Sequence, residues 1–571
     1  MNLFNKALMS KSKAVLLLPV IMITAAYIRL RINSSCNYLL IGGDGPYYPL
    51  QVRSMLEHFK LALPDMPLLF MIEAGLAKIL ILWDYASPAE CVITACKFID
   101  AILPPLAAIP VFLIAKEFTT DSIKSKALNY LVVAFSVINI TTTLFFSNGL
   151  QKNAVTVVGI FFYLYFVIRY LKYTQRKDLY YGLLVLLLCA LTHFGSFALL
   201  LFFTFLTGLF RIIYNRQQIK FLSLKRLLIA CSALALLVSV IAWFDYGRFM
   251  RLVSIPFRVF ESPVLLLLLD GFDIRNYLNP IQLISINLLS VIALIIVIAN
   301  RKLLDKTTRI ILYPLITASF FLISPLIGIE WANRLYVMSY IPVVVVYLII
   351  FSRVPSKWVK AFPALIFAGI VSLCLLNSMP NTGCITDASY TEFTQIKQQV
   401  AFSNRDVMIG RQDLRILGSW EFRIKSVVDY LLTKEDFKTY NHVYVIRQIS
   451  GSNFSKGRFR GDAEVPENSV KVYSGPCFEL YQLNNNTAWK GGSGKPSKSR
   501  GRIIRMDKDK LLLKNDKTGL VRTIELRHPV IHFLNDHTEL KNGSYIEVWG
   551  NWKPFSLNVI AESIDEIETV R

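Results

Sequence analysis

The chain has 571 residues, of which 54% are hydrophobic, 13% aromatic and only 18% charged. Soluble domains carry about 25% charged residues and interrupt their apolar residues periodically, so an ordinary soluble globular protein is excluded. The formal net charge is +23, but many basic residues fall in short loops between apolar runs, a placement that membrane topology requires and that argues against nucleic-acid binding. Eight cysteines are too few and too scattered for a disulfide scaffold, and none has zinc-ligand spacing.

The first apolar run, Lys13 to Tyr27, follows Lys6 and Lys11 and has no small-residue cleavage site after it, so it reads as a retained first helix. Basic clusters recur at Lys116 to Lys126, Arg169 to Lys177, Arg211 to Arg226, Arg301 to Arg309 and Arg353 to Lys360. The positive-inside rule places all five in the cytoplasm. Keeping that order requires Met66 to Trp83, which carries Glu73 and Lys78, to lie at the outer interface rather than cross.

Further spans are expected near 91–115, 127–145, 155–167, 180–191, 196–209, 227–243, 281–298, 310–326, 335–350 and 358–375. With the first helix this makes about eleven. The N-terminus is then cytoplasmic and the C-terminal part extracytoplasmic. Long outer loops at 31–90 and 245–280, together with the turns at 147–153, 192–195 and 328–334, put any chemistry on the outer face.

After residue 377 the pattern becomes that of soluble sequence. Residues 378–490 mix a helical segment at Tyr390 to Ala401 with short strands at 406–409 and 442–446, which predicts an α/β unit. A Gly/Ser/Lys/Pro stretch at 491–501 reads as a linker. Its GSGK lacks the strand and helix of a phosphate loop. Residues 502–571 alternate as five short strands, the pattern of a small OB-like β-barrel. Cys384 and Cys477 are candidates to pair.

The first outer loop holds Gly42-Gly43-Asp44-Gly45-Pro46-Tyr47-Tyr48, followed by Arg53 and Glu57. An Asp between glycines sits on a tight turn and can project into a cavity as a general base, or can cap a helix from Pro46 to Glu57. Arg334, in Glu330-Trp-Ala-Asn-Arg334, stands at the outer end of a span, where a guanidinium can grip phosphate or anchor at headgroups. Lys152 and Arg53 are further cations, as are Arg248, Arg251, Arg258 and Arg275. His193 marks a break in an outer helix end. Lys97 and Asp100 are costly in lipid and should face the bundle interior, where they can pair with each other. Glu57, Asp65 and Glu330 are candidate second carboxylates.

A long first outer loop with Asp44-Gly-x-Tyr47-Tyr48-x4-Arg53, then a Pro-Leu-initiated amphipathic helix and a span opening with Lys97, resembles the GT-C superfamily of membrane glycosyltransferases. That superfamily includes protein mannosyltransferases, aminoarabinose transferases and oligosaccharyltransferase catalytic subunits. The resemblance covers residues 1–377. It implies a polyprenyl-phosphate or -pyrophosphate sugar donor, transfer with inversion to a protein, lipid or polysaccharide acceptor, and no nucleic-acid partner. Asp44 is then the catalytic carboxylate, which activates the acceptor or helps hold a divalent metal, Mg2+ or Mn2+. Arg334, Arg53, His193 and Lys152 become donor-phosphate ligands, and Tyr47, Tyr48, Glu330, Lys97 and Asp100 become substrate-binding residues. The sequon-binding motif of the oligosaccharyltransferases has no counterpart in the soluble part. The turn 147–153 also lacks their acidic residue. Two other readings remain: a transporter or flippase of lipid-linked glycans, and a non-catalytic surface-assembly protein.

Overall fold

The computed structural model describes residues 2–42, 44–119, 123–146, 149–214, 239, 259–260, 263–265, 279–376, 384–410, 412–427, 440–449, 455–456, 465, 469–483, 497–507, 510–516, 521–526, 541–552, 559–561 and 567–569. The chain divides into two compact units: Met1–Phe257 with Leu278–Ser324 and Asn333–Asn381, and Arg258–Tyr277 with Pro325–Ala332 and Thr382–Arg571.

The first unit is helical. Its N-terminal part runs α1 (Asn2–Ser34), α2 (Tyr47–His58), α3 (Leu68–Leu82), α4 (Pro88–Ile102), a 3-10 turn (Pro104–Ala107), α5 (Ala108–Phe118) and α6 (Ile123–Val137). A π-helical turn (Thr141–Phe145), α7 (Gln151–Tyr173), α8 (Arg176–Thr192) and α9 (Phe194–Tyr214) follow. Later come α10 (Pro280–Ala299), α11 (Lys306–Leu322), α12 (Ile329–Tyr336), α13 (Tyr340–Arg353) and α14 (Lys357–Leu376). Among the described residues, seven helical stretches are long and apolar enough to cross a bilayer: Leu16–Ser34, Pro88–Phe118, Gln151–Tyr173, Phe194–Tyr214, Pro280–Ala299, Arg334–Arg353 and Lys357–Leu376.

The protein is a multi-pass helical membrane protein. Its helices turn apolar stripes outward. On α1 the exposed residues Leu16, Val20, Ile23, Tyr27 and Leu30 repeat at heptad spacing, while Arg29, Ile32 and Asn33 are buried. Water would not tolerate that exposed stripe, but lipid favours it. α13 is buried on every side from Tyr340 to Ser352 and packs on α5, α6, α10 and α11, so it is the axis of the bundle.

Three expected spans, matching α6, α8 and α11, are helices of 15, 17 and 17 residues. The expected span 227–243 and the cations Arg248, Arg251, Arg258 and Arg275 lie outside the described residues. α3 has 15 residues, about 22 Å at 1.5 Å per residue, short of the ~30 Å hydrocarbon core. It exposes Met71, Ile72, Ile79 and Leu82 and buries Glu73.

In the second unit, short strands β1 (Cys384–Ile385), β2 (Val407–Ile409), β3 (Lys425–Val427), β4 (Val443–Gln448), β5 (Ser455–Lys456), β6 (Val470–Ser474) and β7 (Phe478–Leu483) combine with α15 (Asp387–Gln399) and α16 (Gln412–Phe422). One sheet has the order β3-β2-β4-β7-β6, parallel among β3, β2 and β4 and antiparallel beyond. Val407, Ile409, Val443, Val445, Tyr481 and Leu483 form a core on it.

A second sheet uses β8 (Ser497–Asp507), β9 (Lys510–Asn515), β10 (Val521–Leu526), β11 (Tyr545–Trp552), β12 (Val559–Ala561) and β13 (Ile567–Thr569). β12 pairs parallel with β10 and antiparallel with β11, which closes β8-β9-β10-β12-β11 into a ring, and β13 adds to β11. Ile503, Leu511, Leu513, Ile524 and Ile546 fill the ring.

The linker does not extend to residue 501: Ser497–Gly501 belong to β8 and pair with Ile546–Gly550, because small Ser and Gly residues alternating with Lys and Arg still satisfy a two-residue strand period. The expected Cys384–Cys477 pair is not formed, since Cys477 keeps a buried thiol that accepts from the Ser389 hydroxyl. Among the described residues, Cys36 is held in a disulfide.

Candidate functional site

Asp44 sits on a turn that only glycines can build. Gly42 has φ +93°, in the left-handed region that favours glycine, and Gly45 N donates to Gly42 O at 2.9 Å. A Cβ on Gly45 would lie 2.2 Å from Leu40 O. Asp44 O then accepts from Tyr47 N at 3.0 Å as α2 begins. The N-cap position is held by Pro46, which has no side-chain cap, so Asp44 lies two residues ahead of the cap position expected for it.

The turn packs against the entry to α7. Gly149 has φ +89°, and a Cβ there would stand 3.2 Å from both the N and Cβ of Asp44. Tyr48, 2% exposed, donates to Gly149 O at 3.1 Å and accepts from Lys152 N at 3.4 Å. Burial, and then the charge of Asp44, push the Tyr48 phenol well above its ordinary value, so it stays a neutral donor.

Lys152 turns into this loop and forms an ion pair with Asp65, whose carboxylate also accepts from the Tyr47 hydroxyl and from Met66 N. Gln51 donates to the Tyr47 hydroxyl at 3.0 Å and to Leu63 O at 2.8 Å. The Lys152 ammonium lies 5.3 Å from the Tyr47 ring centroid and 5.6 Å from that of Phe70, within cation–π reach. One turn along α7, Thr156 Oγ1 contacts Ser196 Oγ at 2.8 Å, and Ser196 lies 2.9 Å from His193 Nδ1. Ser196 N also donates to Nδ1, so a neutral His193 carries its proton on Nε2. The first two turns of α7 therefore join the first loop on one side and His193 on the other.

Asp100 and Lys97 do not pair with each other. Arg29 Nη2 binds Asp100 Oδ1 at 2.6 Å and Asn33 Nδ2 binds Asp100 Oδ2 at 2.7 Å, while Lys97 donates to Cys36 O at 2.6 Å. Both do face the protein interior. Arg53 is half-buried on α2, and Glu57, on the same helix, is exposed. Arg334 is exposed on α12, a helix whose Tyr336 hydroxyl binds Asn279 O at the start of α10. The Glu330 side chain lies outside the described residues.

Three participants escaped the sequence reading: Arg29, Gln51 and Gln151. Only the lipid cost of a mid-helix cation could have flagged Arg29. Among the described residues no group of three or more metal-ligating side chains converges, and the Asp65 carboxylate is taken up by Lys152.

No family model matches the chain, and no curated protein matches it. The solved structure of ArnT from Cupriavidus metallidurans in the apo state aligns over 83% of this chain and 98% of its own, at 12% identity and a TM-score of 0.36.

Proposed function

We propose that this protein is a membrane glycosyltransferase that moves a sugar or glycan from a polyprenyl-phosphate or -pyrophosphate donor to a protein, lipid or polysaccharide acceptor on the outer face, with inversion. The observation that carries the reading is the seat of Asp44: a half-buried carboxylate fixed by a glycine turn and wedged against Gly149, with neutral tyrosines beside it and cations one layer away. That arrangement suits a single displacement. Asp44 takes the proton from an acceptor hydroxyl or amine as its lone pair attacks the anomeric carbon from the face opposite the phosphate. The departing phosphate needs positive charge, which Arg334, Arg53 and the Nε2–H of His193 supply. Lys152 reaches phosphate only by exchanging Asp65 for it, so its first role is to hold the loop. Tyr47 and Tyr48 shape the acceptor side.

On this reading eleven spans place the N-terminus in the cytoplasm and the C-terminal part outside, where the α/β unit and an OB-like barrel position the acceptor. The test is mass spectrometry of surface glycans and polyprenyl-linked sugars in cells lacking the protein, complemented with wild type or Asp44→Asn at matched expression. The reading expects wild type to restore a glycan and the variant to accumulate its lipid-linked donor. Equal restoration by both would overturn it in favour of transport or assembly.

A further inference from the structure

Glu73 on α3 is fully buried, and no step above uses it. Gln151, at the first position of α7, donates from Nε2 to Glu73 Oε1 at 2.5 Å and to Cys96 O at 3.1 Å. Each partner is left with one orphan, and both orphans are buried acceptors: Glu73 Oε2 and Gln151 Oε1. A buried acceptor without a donor is costly, and here two stand on two residues already joined by one hydrogen bond. The groups that face Glu73 are Asp100 and Cys96 from α4, Gln151 and Lys152 from α7, and Tyr48 from α2. The one cation among them, Lys152, is ion-paired with Asp65. An ionised Glu73 would therefore be a desolvated charge beside another acid. One proton removes the charge and converts an orphan acceptor into the donor the other lacks.

We propose that Glu73 carries a proton on Oε2 and closes a cyclic acid–amide pair with Gln151, O–H to Oε1 and Nε2–H to Oε1 of the acid, acting as the positioning residue that sets the first turn of α7. From that turn Lys152 and the preceding Gly149 reach Asp65 and Asp44, and one turn further on Thr156 reaches Ser196. Burial raises the Glu73 carboxyl well above its ordinary value, with the Asp100 charge adding to it, in keeping with this state.

The test uses the purified full-length protein in detergent, with Glu73→Gln and Glu73→Leu. Gln preserves the ring as an amide–amide pair, whereas Leu removes it. In wild-type minus Glu73→Gln infrared difference spectra at neutral pH, the carbonyl stretch of a protonated carboxyl is expected, with no carboxylate band. Glu73→Gln should match the wild-type melting temperature in mild acid, whereas Glu73→Leu should lose several degrees. A raised carboxyl contributes its full stability in acid and loses it as pH climbs towards the folded-state value. Wild type should therefore fall below Glu73→Gln on alkalinisation. A carboxylate band in the difference spectrum, or Glu73→Gln as unstable as Glu73→Leu, would overturn the proposal. None of these readouts requires glycosyl transfer, so failure here is distinct from failure of the proposed activity.

Discussion

Pro104 has no amide hydrogen, so the carbonyl of Asp100, four residues earlier, loses its helical donor inside a membrane span. Arg29 replaces it, donating from Nε to Asp100 O at 2.7 Å while Nη1 reaches Thr142 O at 2.5 Å in the π turn and Nη2 grips the Asp100 carboxylate. One fork ties the broken end of α4 to the π turn. Arg29→Leu should cost about 3–5 kcal/mol by stranding the Asp100 charge, and Arg29→Lys should recover little of it, because an ammonium lacks the fork geometry. Thermal unfolding in detergent checks both. Away from the membrane, Glu479 is partly desolvated, which by itself would raise its carboxyl, but bonds from Lys471, Tyr481 and Arg447 outweigh this and hold it at about 2. A depressed carboxyl contributes stability above its unfolded value of about 4.3 and loses it as pH falls towards about 2. An acid titration followed by tryptophan fluorescence should show Glu479→Gln lacking that transition.

At the scale of elements, the entry to α7 is the joint on which the site depends. Gly149→Ala must place a side chain at φ +89° and press its Cβ on Asp44, which costs about 1–2 kcal/mol for the left-handed conformation alone. It should displace Asp44 and lower restoration of the glycan more than it lowers melting temperature. By contrast, Ser87 caps α4 in a reciprocal box with Glu90, at an exposed helix start. Ser87→Ala should cost about 1 kcal/mol and leave glycan restoration intact. Comparing the two variants in the complementation assay separates a stability loss from a site loss.

At the scale of the molecule, the proposed eleven spans with an outer C-terminal part predict that reporter fusions after residue 377 are extracytoplasmic and those in 116–126 and 301–309 cytoplasmic. Cytoplasmic reporters after residue 377 would overturn the orientation.

The membrane class, most helices, the glycine turn around Asp44 and the alternating strands were legible in the sequence, because each arises from a local cause: apolar run length, side-chain period, or the backbone freedom of glycine. The partners were not. Lys97 and Asp100 sit three residues apart, as a local pair would, yet each takes a partner more than sixty residues away. Asp65 and Lys152 meet across 87 positions, and Glu73 and Gln151 across 78. Local pattern determines which face of a helix is polar. Which polar group it meets depends on how helices distant in sequence pack, and in a dry interior every buried donor, acceptor and charge must find its counterpart there.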